Sequence, residues 1–247
     1  MTTTTCCSGW KSYRVALRRE EGRGIISLFL KPVDGSFPPT FSAGQCVSLR
    51  LPDMPEPKAY FLTGPSEDNM LRLTVEVGDE PYLGSRAKLG KLRLDDVVEL
   101  SAPFGTFTLE GGDTPIVILT EGIGSIAAAA FLAELAVNAP LRTVRVLCQA
   151  VNGERFALGD DIRKLVSLMP NAGLGTFFTH PKMAETVGKD FDVAGAIAIA
   201  NIRSVCIDPN ADFYLTGSRA FINTLKNELE ALGIIHSRIH TEAITAE

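Results

Sequence analysis

The sequence predicts two successive domains, a small antiparallel β-barrel followed by a doubly wound parallel α/β sheet. Three observations carry this. From Trp10 to Pro103 the chain runs in short segments of alternating polar and apolar residues, separated by Gly, Pro and Asp clusters at the spacing of an antiparallel barrel or sandwich. From Ile116 onward apolar runs alternate with helical stretches, the mark of right-handed βαβ units. The junction is the stretch IVILTEGIGSIAAAAFLAEL, Ile116 to Leu135, in which a β-branched run feeds a Gly-x-Gly turn and then an Ala-rich helix.

Taken in order, residues 1–9 read as a flexible lead. Barrel strands are expected in YRVALRRE, GIISLFLKP, GQCVSLRLP, LRLTVEVG and DDVVELSAP, with breaks at PVDG, SFPP, PDMPEP and GPSEDN. One short helix fits this half, around Tyr82 to Lys91. The segment PFGTFTLEGGDTP closes it, which puts the boundary near Gly111 to Thr114, with residues 10–112 as the barrel and 113–247 as the α/β domain. The second half then reads IVILT, SIAAAAFLAELAV, TVRVLCQAV, a helix from Gly159 to Leu168, GTFFTH, a short segment VAGAIAIANIRSV, DFYLTG and a last helix from Ser218 to Leu232. Ligands on such sheets bind beyond the carboxyl ends of the strands. Two of those ends are marked by glycine, Thr120-Glu121-Gly122 and Leu215-Thr216-Gly217-Ser218.

Composition narrows the function classes. A chain of 247 residues with 45% hydrophobic and 21% charged residues has the make-up of an ordinary globular protein with a sizeable core. Its net charge of -5, without a basic run, disfavours a nucleic-acid partner or an anionic membrane surface. No apolar run approaches the ~20 residues of a membrane span, and MTTTTCC has no basic leader region, so a cytoplasmic protein is expected. The 5 cysteines, Cys6, Cys7, Cys46, Cys148 and Cys206, show no C-x-x-C spacing and do not pair with His180, His236 or His240, so neither a metal site nor a disulfide framework is expected.

On this background the order of domains and the two glycine turns resemble the ferredoxin-NADP reductase superfamily, and in detail the reductase part of flavohemoglobins. The likeness runs over nearly the whole chain: Gly9-Trp10, Ala43-Gly44-Gln45, Val98 to Phe107, Val151 to Phe156 and Asp212 to Gly217 stand in family register. It implies FAD on the barrel and NAD(P)H on the α/β domain. No globin stretch precedes these residues and no iron-sulfur cysteine cluster follows, so the partner it implies is a small-molecule substrate or a separate electron acceptor.

The resemblance also implies which residues form the sites, and there the sequence departs from the family. The Arg-x-Tyr-Ser flavin segment is here Lys58-Ala59-Tyr60-Phe61, followed by Leu62-Thr63. Tyr60 keeps the ring that stacks on the flavin, Lys58 offers a point charge without the arginine fork, and Phe61 lacks the hydroxyl that the family directs near flavin N5. The second phosphate segment appears as Tyr82-Leu83-Gly84-Ser85. On the nicotinamide side Gly-x-Gly-x-Thr-Pro becomes Gly122-Ile123-Gly124-Ser125-Ile126-Ala127, and Cys-Gly-Pro becomes Thr216-Gly217-Ser218. The terminal aromatic aligns with Ile244, while the glutamate before it remains as Glu242.

The residues leave several readings open. Gly122 and Gly124 either cradle a diphosphate or simply make a tight turn, since the third glycine of the full fingerprint and the acid after the next strand are missing. Tyr60 is either a flavin contact or a half-buried barrel residue. Glu121 either points away or faces the cleft as a general acid or base with a raised pKa. His180 and His236 read as surface residues, with His240 the histidine worth testing. Two functions follow: a diverged flavoprotein reductase, or a non-redox enzyme of cyclase, isomerase or lyase type that holds a small apolar substrate in the interdomain cleft, lined by Phe61, Ile126 and Ile244, with FAD and NAD(P)H binding weakened or lost.

Overall fold

The computed structural model describes residues 9–51, 56–63, 69–78, 84–205, 208 and 210–244. Cys6, Cys7, Cys206, Tyr82 and Leu83 lie outside them. The chain divides into two compact units, Met1–Thr108 and Leu109–Glu247.

The first unit is built on six strands: β1 Lys11–Gly22, β2 Ile25–Pro32, β3 Cys46–Arg50, β4 Lys58–Phe61, β5 Leu71–Glu76 and β6 Val97–Leu100. They pair antiparallel in the order β4-β3-β6-β1-β2-β5. The two outer strands meet through an antiparallel bridge between Leu62 and Leu73 and a hydrogen bond from Thr63 N to Arg72 O, 2.9 Å, so the sheet closes into a barrel. Closure removes the unpaired edges that an open sheet exposes. Alternation along the strands sends Val15, Leu28, Leu30, Val47, Leu49, Leu71, Leu73, Val98 and Leu100 into one apolar core. The short helix is α1, Gly84–Lys91, and Leu89 anchors it in that core.

The second unit is a six-stranded parallel sheet: β7 Ile116–Glu121, β8 Val144–Ala150, β9 Ala172–Phe178, β10 Val193–Ala194, β11 Asp212–Gly217 and β12 Ile239–Ala243, in the order β10-β9-β8-β7-β11-β12. Helices α2 Ser125–Asn138, α3 Gly159–Ser167, α4 Ile199–Val205 and α5 Arg219–Ala231 make the crossovers. The chain leaves β7 towards β8 on one side and returns as β11 on the other. Strand order therefore reverses between β7 and β11, the switch point at which open α/β sheets bind ligands. α2 is apolar nearly all round, and residues 125–133 are buried without exception, as befits a helix pressed on a sheet and covered by a neighbour. Phe131 on α2 meets the Tyr214 ring edge-on at 5.1 Å, and Tyr214 stacks on His240 at 4.5 Å.

The segment from Val193 to Val205 divides into two elements. Val193–Ala194 pairs with the end of β9, Gly195 then takes φ +125°, a conformation that ends a strand, and α4 begins at Ile199. Among the described residues no helix is long and apolar enough to cross a membrane, and no group of three or more His, Cys, Asp or Glu side chains is placed to hold a metal ion.

Candidate functional site

At the carboxyl end of the parallel sheet the strand register puts Thr120, Cys148, Thr216 and Glu242 in one row, and Glu121, Gln149, Gly217 and Ala243 in the next. Residues that share a row project to the same face, and adjacent rows face opposite sides. The two glycine turns are close-packed against each other. Gly122 has φ +56°, the left-handed region, with open space where a Cβ would stand. Gly124 has an ordinary helical backbone, but a Cβ there would lie 2.6 Å from Thr216 O. One glycine is thus required by its dihedral and the other by the approach of β11.

Polar side chains around these turns are largely engaged within the chain. The Ser125 hydroxyl is buried, 2.7 Å from Ala157 O and 3.1 Å from Gly122 O, and donates into that pair of carbonyls; this fastens the turn to the loop before α3. The Ser125 side chain is therefore not presented at the α2 N-terminus, and its N–H is directed back to Gly122 O and Ile123 O. Glu121 is half-buried and accepts from Ser218 N at 3.1 Å, from the Ser218 hydroxyl, and from Gln149 Nε2 at 3.1 Å. Gln149 is itself held by Ile197 N, 2.8 Å from its Oε1. Ser218 caps α5, its hydroxyl oxygen accepting from Phe221 N at 3.2 Å. Ile126 and Ala127 are buried in α2.

Thr216 is fully buried, and its hydroxyl has no hydrogen-bond partner among the described residues. Leaving such a group unpaired costs about 1–3 kcal/mol. Beside it on β12, Glu242 has an exposed side chain with enough protein around it to push its carboxyl above the ordinary value. Ile244 follows, tied by its N–H to Gly217 O at 2.9 Å. Burial pushes the Cys148 thiol up to about 12, so it stays protonated at neutral pH. His240 lies 3.6 Å from Asp212, which also takes Arg238 at 3.2 Å, and belongs to the packing around Tyr214. His180 and His236 lie elsewhere on this unit, His236 paired with Glu230 at 3.0 Å.

On the barrel unit, β4 carries Lys58 and Tyr60, both half-buried and on one side of the strand, with Ala59 and Phe61 on the other. Tyr60 rests against the barrel core, and burial pushes its hydroxyl up to about 12, the charge of Arg86 only partly opposing this. Phe61 is buried and packs edge-on against Phe107, ring centres 6.3 Å apart. Leu62 is wholly inside the core, and Thr63 is buried with its hydroxyl 3.1 Å from both Thr74 Oγ1 and Arg72 O. Gly84 and Ser85 open α1.

Two further residues belong to this description although no motif points to them. Arg86, in the first turn of α1, reaches to 3.7 Å from Glu76 at the end of β5 and is the guanidinium whose charge is felt at Tyr60. Gln149 is the buried partner of Glu121. Its signal in the sequence is a polar residue near the end of an otherwise apolar strand, VRVLCQA.

The geometry finds its counterpart in known proteins. The chain is 31% identical over 245 residues to the flavohemoprotein of Chromobacterium violaceum and 30% identical over 243 residues to that of Bordetella pertussis, each match covering 95% of this chain. It spans about 60% of the length of these curated relatives. Among solved structures, the FAD/NAD binding domain of a nitric oxide dioxygenase from Vibrio cholerae superposes with a TM-score of 0.83 at 22% identity, covering 95% of this chain and 98% of that one. A flavohemoglobin from Malassezia yamatoensis with bound FAD and heme gives 0.83 at 21% identity, over 96% of this chain and 60% of that one. No family model matches.

Proposed function

From a chain that belongs to the ferredoxin-NADP reductase superfamily and matches the reductase part of flavohemoproteins, we propose that these residues form an NAD(P)H-linked flavoprotein oxidoreductase. FAD is assigned to the barrel unit and the nicotinamide dinucleotide to the α/β unit, and electrons leave to an acceptor outside these residues. When bound, the nicotinamide supplies a hydride and the flavin passes its electrons on singly or as a pair.

The observation that carries the reading is a preserved framework in both units. The closed barrel sets Tyr60 and Lys58 side by side on β4, and the parallel sheet keeps both glycine turns at its switch point. In this assignment Tyr60 offers a neutral ring for stacking, its hydroxyl holding its proton far above neutral pH. Lys58 and Arg86 supply positive charge toward a diphosphate, and α1, beginning at Gly84-Ser85, supplies backbone N–H groups. The turn from Gly122 to Gly124 leads into the α2 N-terminus, and its backbone amides are assigned to the dinucleotide. Thr216 and Glu242 are assigned to the nicotinamide end, where the buried hydroxyl and the carboxyl with raised proton affinity lie in one register row.

A second reading, a non-redox enzyme acting on a small apolar substrate, is favoured by Phe61, which is buried against Phe107 and offers no hydrogen bond at the position assigned to flavin chemistry. A visible absorption spectrum of the purified protein, repeated after incubation with FAD and desalting, separates the two. Flavin bands that survive desalting, bleached by NADH or NADPH, are expected. A colourless protein that takes up no FAD would overturn the reductase reading and leave the second.

A further inference from the structure

The strongest unassigned feature is the carboxylate at the switch point. Glu121 ends β7 immediately before Gly122, and it accepts bonds from three donors: Ser218 N and Gln149 Nε2, each at 3.1 Å, and the Ser218 hydroxyl. Gly217 has φ +153°, and a Cβ there would lie 2.7 Å from Glu121 Cβ. Gly124 is pressed as closely on Thr216. The carboxylate, the turn before α2 and the turn before α5 thus form one close-packed cluster. Ser218 is the N-cap of α5, so the charge stands at that helix's N-terminus, where dipole and unpaired N–H groups favour an anion. The residue types fit the arrangement: Ser218 donates both its N–H and its hydroxyl to Glu121.

We infer that Glu121 is a resident anion at the dinucleotide end of the α/β unit, a specificity-determining residue that holds affinity for diphosphate ligands low. It is bonded to the N–H and hydroxyl of the α5 N-cap, Ser218, and sets a negative charge beside the Gly122–Gly124 turn, whose amides are the donors a diphosphate would use. Like charges at such range repel, and the repulsion acts on the phosphate-bearing part of a ligand while sparing an uncharged part. The inference rests on the reductase reading only in taking a nicotinamide dinucleotide as the natural ligand.

Calorimetric titration of the full chain with ADP, NADH and adenosine tests it, using wild type, Glu121→Gln and Glu121→Ala. The glutamine retains an acceptor for Ser218 and loses the charge, so it keeps the test open if the alanine variant fails to fold. Removal of the charge is expected to raise affinity for ADP and NADH by about tenfold at low ionic strength, to give a smaller gain at high salt, and to leave adenosine unchanged. Equal affinities for ADP in wild type and Glu121→Gln, an equal gain for adenosine, or no ADP binding by any of the three proteins at millimolar concentration would overturn it. A colourless protein that takes up no added FAD, together with a gain in ADP affinity, would sink the reductase reading and leave this inference standing.

Discussion

Replacing Gly124 by alanine tests whether the turn before α2 owes its glycine to the fold or to a ligand. The backbone there has φ -57° and ψ -22°, so alanine is allowed by its dihedrals and would gain about 0.4–1 kcal/mol by restricting the unfolded chain. Against this, the new methyl would lie 2.6 Å from Thr216 O, 2.9 Å from Thr216 C and 3.2 Å from Gly217 N. All three are backbone atoms at the end of β11, which pairs with β7 on one side and β12 on the other, and they cannot yield as the tip of a flexible side chain would. Overpacking of this kind costs about 1–3 kcal/mol and more where backbone is the obstacle. A net loss of about 2 kcal/mol is expected. Gly122→Ala supplies the control: nothing stands within 4 Å of its Cβ, and the cost is the left-handed dihedral, about 1–2 kcal/mol, which asparagine at the same position would partly restore. Urea denaturation followed by far-UV circular dichroism, without added cofactor, measures all three variants. A Gly124→Ala protein as stable as wild type, with dinucleotide affinity lost, would refute the reasoning and return this glycine to the ligand.

Two other outcomes follow from buried polar groups. Tyr60 and Tyr214 are pushed up to about 12 by burial, and Tyr13 is raised for the same reason. Each phenol that titrates near pH 10 when unfolded contributes stability that is present below that pH and lost as pH rises through its folded value; ultraviolet titration should find at least three of the 4 tyrosines protonated past pH 10, with later ionisation coinciding with unfolding. Ionisation of most of them at pH 10 in folded protein would contradict this. Arg142 is buried and donates from Nε to Thr114 O at 2.7 Å and from a terminal nitrogen to Glu110 O at 2.8 Å, while Glu110 N donates to the Tyr214 hydroxyl at 2.7 Å. Arg142→Ala should cost about 2–4 kcal/mol by urea melt, with lysine restoring little because it lacks the fork; a loss below about 0.5 kcal/mol would show that the segment before β7 needs no such tie.

The parts of the fold that were legible are those with strong local patterning. The period-2 barrel strands, the apolar runs of β7, β8 and β11, and the apolar α2 each announce their burial in their own residues. β12 does not: in Ile239–Ala243 only Ile239 is buried, and a polar edge strand carries no apolar run. The segment from Val193 to Val205 opens on an apolar run, Val193 to Ala200, yet a turn at Gly195 divides it, because Val193–Ala194 is taken up by β9. For the candidate site the limit is distance along the chain. That Glu121 is engaged depends on Ser218, 97 residues later, and the need for glycine at 124 depends on the carbonyl of Thr216. Neither relation leaves a trace in local spacing. Arg86 carries no motif and emerges only when α1 lies against the end of β5.

The way polar groups are used at these sites constrains how a ligand can be held. Thr63 and Ser125 attract notice for a hydroxyl suited to a ligand and Glu121 for a carboxylate suited to acid–base work, and each has that end engaged inside the chain. A hydroxyl or carboxylate so held cannot turn to a ligand without surrendering bonds that fasten a turn or close the barrel, at roughly 1 kcal/mol or more per bond. In the proposed reductase, the donors that a dinucleotide would meet around the two turns are therefore chiefly backbone N–H groups, whose positions follow from the two glycine turns and the close approach of β11. Under the inference drawn above, affinity there would be governed by turn geometry and by the charge of Glu121 more than by side-chain recognition. The two glycines act through the backbone alone: Gly122 supplies the left-handed dihedral of the turn, and Gly124 lets β11 approach to a distance that no side chain would permit.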